Sequence, residues 1–155
     1  MALEIEFTSP NEKPALLGLT TPSFLAAIRP QVKEAGYKNH ESQDASDFLT
    51  RYSLTQYPLV VIEELFSAPT TEENFALRAL QRLPMMQRRH SVIILVGDTF
   101  DTLSSLQAFQ QSVHAVVHPK DLGSLSDVIR QTVAEMNSLL TCYRETQNRI
   151  AQGKI

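Results

Sequence analysis

Short apolar runs alternate with stretches of helical period along this chain. Pro14-Ala15-Leu16-Leu17-Gly18-Leu19 is an unbroken apolar run and reads as a first strand buried on both faces. Thr20-Thr21-Pro22-Ser23 then offers caps and a first-turn proline to a helix. That helix carries Phe24, Leu25, Ile28 and Val32 on one stripe and stops at Gly36, a residue suited to a left-handed C-terminal position. Pro30 inside it costs about 3 kcal/mol and predicts a kink. Residues 37–43 form a weak, polar second strand suited to a sheet edge. Asp44 caps a helix over 44–56, with Phe48, Leu49 and Tyr52 at helical spacing. Residues 59–62 are the third strand, and 67–71 a turn-rich loop longer than such a connection needs.

A third helix is predicted from about residue 72 to 87, presenting Phe75, Leu77, Leu80 and Leu83 and ended or bent by Pro84. Residues 91–96 give a fourth strand, stopped by Gly97-Asp98. A short helix over 102–111 precedes a fifth strand, 115–117, and His118-Pro119. The last helix opens with a capping box, Ser124 with Asp127, and runs without Gly or Pro to about residue 152. That is far longer than the ~11–12 residues of an average helix. Ile129, Val133, Met136, Leu140, Tyr143, Gln147 and Ile150 recur along it at alternating four and three, a heptad seam. The order of elements predicts an α/β protein with a parallel sheet. Residues 1–12 are a strand or linker in which Leu3, Ile5 and Phe7 alternate with acids, 13–140 form the domain, and 141–155 extend the last helix.

Composition narrows the function classes. At 155 residues the chain suits one domain with a real core, and 43% hydrophobic with 20% charged residues is ordinary for a globular protein. A net charge of −3 argues against nucleic acid as partner. One cysteine, Cys142, makes no internal disulfide, and there is no Cys/His metal cluster. No window approaches the ~18 apolar residues of a membrane helix, and the first residues carry no signal peptide. The expectation is a cytoplasmic protein without cofactor or metal.

Lys13-Pro14 before the first strand, Tyr57-Pro58-Leu59-Val60 entering the third and His118-Pro119 after the fifth carry a resemblance. Over roughly residues 13–140 the chain resembles the receiver domain of bacterial response regulators. More loosely, it is similar to proteins joining a zinc ribbon to a degenerate receiver, although it has no ribbon cysteines. The resemblance implies a flavodoxin-like three-layer sandwich, its sheet in the order 2-1-3-4-5, with the site at the carboxyl ends of the strands. It also implies what should stand there, and the chain departs from it at each position. The phosphoacceptor aspartate matches Glu63. The acidic pair that holds Mg²⁺ matches Thr20 and Thr21. The hydroxyl residue after strand four matches Val96. The lysine before a cis-proline matches His118, and the aromatic switch residue matches Ala115.

The site therefore reads as a degenerate phosphorylation site, and phosphotransfer is not expected. Glu63 reads as a solvated or hydrogen-bonded acid rather than a permanent phosphate mimic, because the residues that would sense the charge are gone. His118 lies near enough to Glu63 in the implied fold to pair with it as a pH switch. Thr20-Thr21 reads as ordinary N-capping in preference to an anion loop, since Pro22 takes the place where such a loop needs glycine. Arg78, Arg82, Arg88, Arg89 and His90 form a solvated helical face or a contact for an acidic protein partner. No nucleophile–base pair or glycine-rich phosphate loop supports an enzyme. The expectation is a non-phosphorylatable receiver-like signalling or protein-interaction module. It self-associates as a homodimer through a last-helix face of Met136, Leu140, Tyr143 and Ile150. A small-molecule or anion site in the vacated pocket is the alternative.

Overall fold

A computed structural model of the chain describes residues 12–153; the expectation for the segment before residue 12 lies outside them. Five parallel strands form one sheet in the order β2-β1-β3-β4-β5: β1 Lys13–Gly18, β2 Tyr37–Glu41, β3 Leu59–Glu63, β4 Val92–Val96 and β5 Ala115–Val117. Six helices join them: α1 Pro22–Glu34, α2 Ala45–Leu54, α3 Phe75–Gln81, α4 Met85–Arg88, α5 Ser105–Gln110 and α6 Leu125–Ala151. This is the three-layer, flavodoxin-like arrangement that the alternation of runs predicts, with a long C-terminal helix.

The central strands are apolar between Lys13 at the start of β1 and Glu63 at the end of β3, as strands covered on both faces are. Ala15, Leu17, Leu59, Val61, Ile94 and Val96 pack on one side with Ile28 and Val32 of α1 and Leu125, Val128 and Ile129 of α6. Leu16, Val60, Ile62, Ile93 and Leu95 face the other side with Phe48, Phe66, Leu77 and Leu80. β2 is the polar edge strand expected, yet its His40 is buried and bonds the Tyr57 hydroxyl through Nδ1 at 3.0 Å.

α1 continues as helix on both sides of Pro30; this residue and Ala26, whose carbonyl the proline leaves without its helical donor, are both exposed to water. Three local expectations are corrected. The predicted third helix is in pieces, a 3-10 turn at Thr71–Glu73, then α3 and α4. Asn74 starts α3 by accepting the Leu77 N–H at 3.0 Å, and Pro84 starts α4, so Phe75 is left exposed instead of joining the core. The Ser124–Asp127 capping box does not form, since a 3-10 turn, Pro119–Ser124, leads directly into α6. Gln31 Oε1 accepts the Ser126 N–H at 2.9 Å instead, tying α6 to α1. Thr21 makes no side-chain cap for α1. Its hydroxyl has another partner.

Candidate functional site

That partner is Glu63. β1 and β3 are neighbours, with Gly18 beside Ile62, so the loop after β1 passes over the end of β3. Glu63 Oε1 accepts the Thr20 N–H, the Thr20 hydroxyl and, at 3.1 Å, the Thr21 N–H. Its Oε2 accepts the Thr21 hydroxyl at 2.7 Å. Burying a carboxylate is costly unless donors replace its water, and this one, 3% exposed, has four. Its place at the start of α1 puts the negative charge at the favourable end of the helix dipole. The carboxylate that ties down the loop entering α1 therefore comes from β3.

The next residue repeats the device. Glu64, half-buried, accepts the Thr71 hydroxyl at 2.7 Å and the Thr99 hydroxyl at 3.0 Å. Its backbone N–H donates to the Val96 carbonyl at 2.8 Å. Gly97 makes room for it, because a Cβ there would lie 2.4 Å from Glu64 Oε2. Asn74 is fully buried and donates from Nδ2 to the carbonyls of Glu63 and Glu64, at 3.1 and 3.0 Å. Two adjacent acids thus brace the loops after β1, β3 and β4. Glu64, Asn74, Thr71 and Thr99 escape a reading confined to the family's site positions; the Glu63-Glu64 doublet facing threonine-bearing loops is their signal.

Thr20, Thr21 and Glu63 are brought together as the sequence implied, and Val96 lies beside Glu63 in the β3–β4 register but is wholly in the core. His118 is turned to other work and does not take up the pairing with Glu63 that the implied fold would allow. Its Nδ1 accepts the Lys120 N–H at 3.0 Å and caps the turn after β5, while its own N–H donates to the Thr102 hydroxyl at 3.0 Å. The His118–Pro119 peptide is trans.

The receiver fold implies Mg²⁺ here, and these residues do not fit it. A hard divalent cation wants several oxygen ligands in near-octahedral geometry, whereas Thr20 and Thr21 are neutral and Glu63 faces N–H and O–H donors. A polar cavity of about 540 Å³ lies to one side, at the ends of β1 and β2, lined by Thr20, Asn39, Glu41, Ser42, Gln43 and Arg51. Its charges are already paired, Arg51 with Asp47 and Glu41 with Arg29.

Opposite this end, α6 leaves the domain. Met136 is half-buried against the core, Leu140 is half-exposed, and every residue from 141 to 153 is exposed. The basic stretch is partly used internally. Arg88 donates to the Ser112 carbonyl, and the Arg89 guanidinium lies 4.6 Å from the centre of the Tyr143 ring.

No protein-family model matches this chain, and no curated protein matches it. Solved structures do. The chemotaxis response regulator CheY4 of Vibrio cholerae superposes with a TM-score of 0.61 at 11% identity, over 78% of this chain and 98% of that one. A CheY-like receiver domain protein of Methanospirillum hungatei gives 0.62 at 14% identity, over 82% and 98%. The CheY-like protein TadZ of Pseudomonas aeruginosa gives 0.54 at 15%, over 78% and 99%. The fold is that of response-regulator receiver domains. Among the described residues, no helix is long and apolar enough to cross a membrane.

Proposed function

We propose that this protein is a receiver-like signalling or protein-interaction module that accepts no phosphoryl group, is not an enzyme and self-associates through α6. One observation carries the first part: the acid in the phosphoacceptor place is buried and already holds four donors from Thr20 and Thr21. A nucleophile must reach an in-line phosphoryl donor with a metal beside it. Glu63 is instead turned into the protein, where its two carboxylate oxygens face N–H and O–H donors. The same bonds weigh against an anion site at the strand ends, because the donors that would hold an anion hold Glu63. Self-association rests on α6, which carries Leu139, Tyr143 and Ile150 exposed beyond the domain.

The test is incubation with acetyl phosphate and Mg²⁺, read by intact mass and peptide mapping, with light scattering on the same sample. The expected result is no phosphorylated species and a dimer mass. A phosphoryl group on Glu63 or a neighbour overturns the non-phosphorylatable reading. An untargeted thermal-shift screen addresses the alternative: a specific ligand raises Tm by mass action, and its loss in Thr20→Val or Arg51→Ala would locate the ligand at the strand ends.

A further inference from the structure

We infer that the surface between α4, α5 and α6 is the seat for the α6 tail of a second copy, packed antiparallel. This rests on the self-association proposed above and adds its geometry. A groove of about 570 Å³ lies there, with Met85, Phe109, Val113, Met136 and Leu140 among its lining. Phe109 and Met85 are 82% and 71% exposed, unusual for side chains of this size facing water together. From the same groove the tail departs: residues 141–151 continue α6 for about 16 Å at 1.5 Å per residue, touching the domain through Tyr143 and Arg89. Groove and tail form one continuous surface.

The spacing of the stripe selects the arrangement. Met136 lies seven residues before Tyr143 and Ile150 seven after it, so a two-fold axis at Tyr143 pairs these two apolar side chains and sets Leu139 against Gln147 and Leu140 against Thr146. A two-fold interface is isologous, each patch meeting its own image. An axis at Tyr143 sets the two Tyr143 rings together and places Ile150 of the partner subunit on Met136, inside the groove beside Phe109. The same operation fills the other groove. A parallel pair would instead run the two tails away from both domains, joining little more than Leu139, Tyr143 and Ile150 of each copy and leaving Phe109 and Met85 in water. A stable interface needs about 800 Å² from each partner, and one aromatic supplies only about 150–250 Å². Three side chains fall short of that. Adding Met85, Phe109, Met136 and Leu140 reaches its range.

The experiment is light scattering on the full chain, with cross-linking of single-cysteine variants in a Cys142→Ser background. A dimer that forms a disulfide between Phe109→Cys in one copy and Ile150→Cys in the other, and little from Ile150→Cys alone, supports the antiparallel seat. Phe109→Glu should then raise the dimer dissociation constant about 30-fold or more, as loss of a central aromatic anchor does. Its melting temperature at monomer concentrations should stay at that of the parent, since the side chain is exposed. A dimer that survives Phe109→Glu and cross-links through Ile150→Cys to its own copy overturns the groove and leaves self-association standing. A monomer at high micromolar concentration overturns both.

Discussion

Replacing Thr21 with valine tests whether the strand-end acid is held by the protein. Valine keeps the shape of threonine and exchanges its hydroxyl for a methyl group. The hydroxyl is the donor to Glu63 Oε2 at 2.7 Å, so the variant leaves one carboxylate oxygen against a methyl in a site 3% exposed. A hydrogen bond to a charged group contributes about 1.5–3 kcal/mol. For a chain of this size each kcal/mol shifts Tm by roughly 2–4 °C, so Thr21→Val should melt roughly 3–12 °C lower. Urea unfolding is the cleaner assay, because a lower midpoint at unchanged slope reports stability alone. Thr99→Val is the control: it also removes a hydroxyl from a carboxylate, but Glu64 is half-exposed and keeps Thr71, so water and one donor remain. That variant should lose less than about 1 kcal/mol. If Thr21→Val unfolds within about 0.5 kcal/mol of the parent, the carboxylate does not depend on these donors. The argument against an anion site would then fail with it.

Asn74→Ala removes two bonds to the Glu63 and Glu64 carbonyls and the cap of α3; a loss of about 2–4 kcal/mol by urea titration is expected. Gly97→Ala places a Cβ 2.4 Å from Glu64 Oε2 and 2.9 Å from Phe100; Glu64 must yield its threonine partners, and stability should fall by about 1–3 kcal/mol. Burial, then the nearby Arg88 charge, push the His114 pKa down to about 4, and its Nδ1 accepts the Ile93 N–H at 2.9 Å. The unfolded chain, titrating near 6.5, binds more protons between those values, so stability should be full above about pH 6.5 and fall by up to about 3 kcal/mol towards pH 4. His114→Asn, which keeps an acceptor and cannot charge, should flatten that slope in chemical denaturation.

Strands β1, β3, β4 and β5 were legible because each holds a short apolar run between turn residues, while polar β2 was legible from its place in the alternation of elements. Helix boundaries were less so where the partner is distant in sequence. Thr20-Thr21 looks like a local cap, and its hydroxyls do sit at the start of α1, but they serve an acid 42 and 43 residues away. Ser124-Asp127 has the letters of a capping box, while a side chain from α1, Gln31, does the capping. Asn74 was hidden inside an acidic run, although an asparagine before Phe75-Ala76-Leu77 is itself a start signal. The heptad seam is a single pattern with two uses. Ile129, Val133 and Met136 pack in the domain, and the stretch from about Leu139 onward is mostly exposed. Periodicity alone does not say where a helix leaves its own core, and here the change is gradual, through half-exposed Leu140 and the Tyr143–Arg89 contact.

A conformational equilibrium moves only when something binds one state better than the other. At the strand ends the loops after β1, β3 and β4 are held by carboxylates of the chain itself. Any ligand there must first displace those bonds, and each lost donor to a buried charge counts against it. The other end has the opposite character: exposed Met85, Phe109, Leu139 and Ile150 gain by being covered and have little internal bonding to give up. On this reading the braced end serves as scaffold, and the free energy available for signalling lies where α6 leaves the domain. Truncation after Leu140 separates the two. The shortened chain should melt close to the monomeric Phe109→Glu variant, because residues 141–153 lie at the surface and meet the domain at the Tyr143–Arg89 contact, and should lose the dimer mass altogether. A truncated chain that still dimerises would return attention to the sheet and its loops.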